Sequence, residues 1–104
     1  MDEVRDAPCR VHILVCANGR PPGGMPSCGE VGEAVFARLK GHALRTGVAH
    51  EVWVTRTGCL GLCHAAGAAL AIHRPGGEGR SVFLQAVQVD EVEEVLRRYA
   101  GRAG

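Results

Sequence analysis

Three stretches dense in glycine and proline, at 19–29, 58–67 and 75–79, cut the chain into short pieces that no single helix or strand can bridge. Before the first lies Val11-His12-Ile13-Leu14-Val15-Cys16, an apolar run short enough to read as a buried strand. The following ANGRPPGGMPS (17–27) holds Asn-Gly, Pro-Pro and Gly-Gly and reads as a loop. Val31, Ala34, Val35, Leu39 and Ala43 then recur at three- and four-residue spacing, which predicts an amphipathic helix over 29–46. Ser27 with Glu30 fits a capping box at its start, and Gly47 fits its stop. Gly41 lies inside it and weakens it by about 1 kcal/mol relative to alanine.

Beyond that helix, Glu51–Arg56 (EVWVTR) is β-branched and aromatic and predicts a second strand, with Trp53 expected in the core. Ala68–Ile72 and Arg80–Leu84 read as a hairpin about Pro75-Gly76-Gly77. Asp90 with Glu93 suggests a cap for a last helix over 90–100, which has Val92, Val95, Leu96 and Tyr99 on one face. Glu93–Arg97 and Glu94–Arg98 are i,i+4 pairs along it. The order is therefore β-α-β followed by β-β-α. A crossover helix makes the first two strands parallel and right-handed, and the hairpin adds antiparallel strands. The fold class expected is α/β (mixed α+β): a four-stranded mixed sheet flanked by two helices, the thioredoxin-like arrangement. No linker or repeat divides residues 1–104, so one domain is expected, with the polar residues 1–9 frayed.

Composition narrows the function. Twelve basic and 11 acidic residues leave a net charge of +1, which argues against a nucleic-acid binder. No apolar run is long enough for a membrane helix, and MDEVRDAPCR has no apolar core of a secretory signal, so a cytoplasmic location is expected. In that reducing compartment, five cysteines point to metal or redox chemistry before structural disulfides.

Four of these thiols belong together by topology. Cys16 ends the first strand and Cys28 precedes the first helix, whereas Cys59 and Cys63 lie in the loop leaving the second strand. If the first two strands are parallel neighbours, all four emerge at one edge of the sheet. Glycine loops and a helix N-terminus at that edge favour negative charge. Zinc prefers short knuckles on both sides; Cys59-x3-Cys63 qualifies, but Cys16-x11-Cys28 does not. Thiol–disulfide exchange prefers C-x-x-C, which neither pair has. A [2Fe–2S] cluster takes two thiolates on each iron and tolerates long loops, so it fits best of the three. Gly19, Gly29, Gly58 and Gly61 are candidate backbone donors to it, Arg20 and Arg56 candidate cations, and Leu60 and Leu62 candidate shields. Cys9 stands outside the quartet and reads as a surface or packing thiol. His64 follows a proposed ligand and reads as a hydrogen-bonding neighbour. His12, His42, His50 and His73 share no spacing.

ILVCANGRPPGGMPSCG followed by VTRTGCLGLC resembles the thioredoxin-like [2Fe–2S] ferredoxins, and the resemblance runs from about residue 11 to about residue 100. It implies cluster ligation by Cys16, Cys28, Cys59 and Cys63, one-electron transfer with redox partner proteins, and a homodimer. It also suggests kinship with cluster-bearing subunits of larger oxidoreductases. The chain differs from the pattern in its balanced charge and in the His64-Ala65-Ala66-Gly67-Ala68-Ala69 run after the last cysteine. The alternatives that remain are zinc on the same thiols in a structural or regulatory protein, a thiol–disulfide oxidoreductase, and a cluster-bearing subunit of a larger oxidoreductase.

Overall fold

The computed structural model describes residues 1, 9–17, 29–58, 67–74 and 81–100. Four strands, β1 (Val11–Cys16), β2 (Val52–Thr57), β3 (Ala68–His73) and β4 (Val82–Val87), form one sheet in the order β2-β1-β3-β4. β1 and β2 are parallel, connected through helix α1 (Gly29–Arg45), while β1–β3 and β3–β4 are antiparallel. A 3₁₀ turn (Val89–Glu91), α2 (Val92–Val95) and a π-helical turn (Leu96–Ala100) end the described chain. The mixed sheet, the crossover and the hairpin all follow the topology expected from the breakers.

Side chains alternate across the strands, so the valine and isoleucine positions decide which face is covered. Val11, Ile13 and Val15 join Val52, Val54, Leu70 and Ile72 in one buried cluster with Val35 and Leu39 of α1 and with Val92, Val95 and Leu96. Both helical segments therefore cover the same face. Each fully buried aliphatic side chain contributes roughly 1.5–3 kcal/mol, which lets a core poor in aromatics hold. The opposite face carries His12, Leu14, Trp53, Thr55, Ala71, His73, Phe83 and Gln85, and Trp53 and Phe83 are 36% and 54% exposed.

Trp53 thus corrects the expectation that it is core. Val52 and Val54 point inward, so the residue between them must point outward. Its ring meets His12 edge-on at 5.8 Å, and its Nε1 donates to the His50 carbonyl at 3.3 Å.

α1 ends in a Schellman motif: Val48 N donates to Ala43 O at 3.0 Å and Gly47 N to Leu44 O at 3.2 Å, with Gly47 at φ 73°. The last helical segment starts earlier than the Asp90/Glu93 cap expected, because Glu91 Oε1 accepts from Gln88 N at 2.9 Å. Of the two ion pairs expected along it, Glu94–Arg98 forms and Glu93–Arg97 does not. Glu94 takes both Arg97 and Arg98, whereas Glu93 reaches Arg38 of α1 at 2.8 Å. Glu93 is thus drawn off its own helix to tie the two helical segments together, and the Arg38 hydrogen bond holds its carboxyl below the usual range.

β4 runs three residues past the Leu84 expected as its end. Ala68 pairs with Val87 and Leu70 with Leu84, so β4 carries an extra residue. Ala86 takes φ 60° in this bulge. That returns Val87 to the core after the exposed Gln85.

Gly41 lies mid-helix, and a Cβ there would meet only the mobile end of Arg45, with Nη1 at 3.1 Å. Gly41→Ala is therefore expected to raise stability by about 0.5–1 kcal/mol, read as a higher urea midpoint with an unchanged slope. A lower midpoint would contradict this packing.

Candidate metal centre

The sheet brings the borders of two undescribed segments, 18–28 and 59–66, to one edge. Parallel pairing sets Cys16 opposite Thr57, and Ala17 N donates to Thr57 O at 3.1 Å. Gly58, next along, is adjacent in sequence to Cys59. β3 runs antiparallel with Val15 opposite Leu70, which brings its starting end, preceded by Gly67, to the same side. α1 closes the group, because a Cβ on Gly32 would lie 2.1 Å from Cys16 O and 2.9 Å from Ala17 Cα. Ala17, Gly29, Gly58 and Gly67 border the cysteine-bearing segments, and all four sit at the carboxyl ends of β1 and β2.

Cys16 is wholly buried at this edge, with 0% exposure. Cys28, Cys59 and Cys63 lie outside the described residues, as do Ser27, Gly19, Arg20, Leu60, Gly61, Leu62 and His64. Among the described residues no group of three or more His, Cys, Asp or Glu side chains is arranged to hold a metal. Cys9 is 4% exposed and sits before the opposite end of β1, so it is a packing thiol rather than a surface one. The frayed stretch expected over 1–9 therefore does not extend to Cys9. The strand alone separates it from Cys16 by roughly 17 Å, too far to share a metal.

Arg56, a candidate cation, is already engaged. Its Nη1 reaches Glu33 Oε2 at 2.8 Å and Oε1 at 3.1 Å, and its guanidinium stands 5.3 Å from the Phe36 ring centroid. Its charge at the edge is thus offset by a carboxylate from the first turns of α1. On the open face, His12 and His73 are cross-strand neighbours. His12 Nε2 pairs with Thr55 Oγ1 at 2.8 Å and His73 Nδ1 with Ser81 Oγ at 2.6 Å. Burial, then the neighbouring His73, pushes the His12 pKa below its ordinary value.

Sequence reasoning passed over Gly32 and Gly67. A Cβ on Gly67 would lie 2.4 Å from Ala86 C and 2.7 Å from Val87 O, so the exit of the second cysteine segment rests on the β4 bulge. The signal for Gly32 was a poor helix former in the first turn beside a proposed ligand.

No protein-family model matches the sequence, and no curated protein matches it. Solved structures do. The wild-type thioredoxin-like [2Fe–2S] ferredoxin from Aquifex aeolicus aligns with a TM-score of 0.72 at 24% identity, over 89% of this chain and 88% of that one. Another structure of a thioredoxin-like [2Fe–2S] ferredoxin from the same organism gives 0.73 at 23% identity, over 88% and 81%. A cysteine-to-serine variant of that ferredoxin gives 0.71 at 22% identity, over 86% of each chain. The likeness establishes the fold as thioredoxin-like, the class expected from the order of elements.

The burial of Cys9 and Cys16 has a direct readout. In the metal-free, reduced chain, both are expected to react with iodoacetamide on the order of a hundredfold more slowly than in urea, as peptide mapping resolves. Equal rates for Cys16 in the two conditions would contradict its position.

Proposed function

We propose that the chain is a one-electron carrier that holds a [2Fe–2S] cluster on Cys16, Cys28, Cys59 and Cys63. The observation that carries this reading is the common edge: one proposed ligand is buried there, and the borders of the segments bearing the other three converge on it. The donor set fits. Four thiolates match the cluster's demand of two per iron; Cys59-x3-Cys63 has the spacing of a zinc knuckle but Cys16-x11-Cys28 does not, and neither pair is a C-x-x-C dithiol. The shared fold with solved ferredoxins of the same kind supports the reading.

When bound, the cluster supplies a one-electron couple whose reduced form carries an additional negative charge. The chain's own groups set the cost of that charge. The first turn of α1 lies against the Cys16 carbonyl at the edge, and the N–H groups of a helix start favour anions. Cys16 is shut off from water, which strengthens each such interaction and keeps solvent from the sulfur. The Arg56–Glu33 pair offsets the charge of Arg56 near the carboxyl end of β2. No general acid, base or nucleophile is required, because the chain binds and relays an electron and transforms no substrate.

The open sheet face favours association of two copies. Leu14, Trp53 and Phe83 lie across it, and no Asp, Glu, Lys or Arg is among the described strand residues pointing that way. Two copies laid face to face thus meet without like-charge repulsion. The proposed carrier is a homodimer that exchanges electrons with redox partner proteins, with neither nucleic acid nor membrane as partner. Among the described residues no helix is long and apolar enough to cross a membrane.

Anaerobic purification followed by metal and sulfide analysis tests the cluster. Two irons and two sulfides per chain are expected. Cys→Ser at position 16, 28, 59 or 63 is expected to remove most of the iron, and Cys9→Ser none of it. Stoichiometric zinc without sulfide would overturn the reading, and equal iron loss from Cys9→Ser would overturn the ligand set. For the dimer, sedimentation equilibrium is expected to give twice the chain mass, and Phe83→Glu to give a monomer. A monomeric parent chain at about 100 µM, far above a micromolar Kd, would contradict it.

A further inference from the structure

The contact between Gly32 and Cys16 carries a role that the ligand set does not assign. A Cβ at Gly32 would meet three atoms of main chain: Cys16 O at 2.1 Å, Ala17 Cα at 2.9 Å and Cys16 C at 3.0 Å. None belongs to a flexible side chain, so no rotamer change relieves the overlap. Backbone must move, and by about 1.3 Å or more to restore ordinary carbon–oxygen contact. The chain that moves is the end of β1 at a proposed ligand, or the first turn of α1, whose first residue, Gly29, follows Cys28 in sequence. Either movement changes the separation between the two segments that carry Cys16 and Cys28.

Gly41, nine positions further along the same helix, provides the contrast. There the nearest atom is the end of Arg45, which can swing away. Glycine at 41 is a weakness of the helix, whereas glycine at 32 is a requirement of the site. Gly67 also packs on backbone, but on Ala86 and Val87 of β4 rather than on a cysteine.

We infer that Gly32 is a positioning residue of the metal centre: by lacking a Cβ it lets the first turn of α1 rest on the carbonyl of Cys16, setting the spacing of the first two ligands and the closeness of the helix N–H groups to the cluster. The cluster part of this inference rests on the proposed function; the effect on Cys16 does not.

The test compares Gly32→Ala, Gly41→Ala and the parent chain. In the metal-free, reduced proteins, the alkylation rate of Cys16 is expected to rise about tenfold or more in Gly32→Ala and to stay at the parent value in Gly41→Ala, with the helical circular-dichroism signal retained in both. In the iron-loaded proteins, Gly32→Ala is expected to show a midpoint potential shifted to more negative values and altered spin-resonance g values. Gly41→Ala is expected to match the parent in both. If Gly32→Ala fails to fold, the measurements are made on Gly32→Ala/Gly41→Ala in sodium sulfate, which strengthens burial. Failure to fold there too overturns the inference, because a positioning role leaves the scaffold intact. Gly32→Ala with the parent's alkylation rate, potential and g values also overturns it. If the parent chain itself holds zinc and no iron, the cluster reading fails while the alkylation ratio still decides the role of Gly32.

Discussion

Parallel pairing of β1 with β2 is the constraint on which the remainder depends. Strands that run the same way cannot be joined by a tight turn, so the chain must leave the end of β1, cross the sheet and return. α1 is that crossover, and it starts and finishes at opposite ends of the sheet. One consequence is that the exits of both strands, the start of α1 and the approach to β3 meet at a single edge. The backbone contact of Gly32 on Cys16 then pulls the helix end onto that edge. A buried sulfur beside a helix start, with glycine-bordered segments around it, is an environment suited to an anionic metal centre.

The two faces of the sheet divide the labour. One is sealed by α1 and the C-terminal helical segment, held by aliphatic packing and tied by the Arg38–Glu93 pair. This pair is exposed and adds direction more than stability. The other face presents Trp53, Leu14 and Phe83 with the His12–His73 neighbours between them. The proposed electron-transfer edge lies at the carboxyl ends of β1 and β2, where the two layers meet.

Much of this was legible in the sequence because breakers and periodicity act locally. The Gly/Pro clusters marked the segment borders, the Val31–Ala43 spacing marked α1, and β-branched Glu51–Arg56 marked β2 to within a residue. Trp53 was misread because its size suggested burial, while the strand's alternation gave the inward positions to Val52 and Val54. β4 was read as ending at Leu84, and pairing of Val87 with Ala68 across the bulge carries the strand onward. Glu93 was assigned to Arg97 by helical spacing, but a partner on α1 competes, and such a partner is invisible to local spacing. At the candidate site, the order of elements was enough to place Cys16 at the carboxyl end of β1 beside the end of β2. A glycine in the first turn of α1 was a signal that position 32 is special, but its partner Cys16 was beyond reach, because tertiary packing joins the two and leaves no periodic trace in the sequence.

Low-temperature electron spin resonance on the anaerobically purified chain, before and after dithionite, tests the central claim most directly. Two coupled ferric ions give no signal, and one added electron leaves a single unpaired spin. The account predicts a silent oxidised protein and, on reduction, a rhombic signal integrating to about one spin per chain. A chain that stays silent after reduction and carries zinc in place of iron would contradict it.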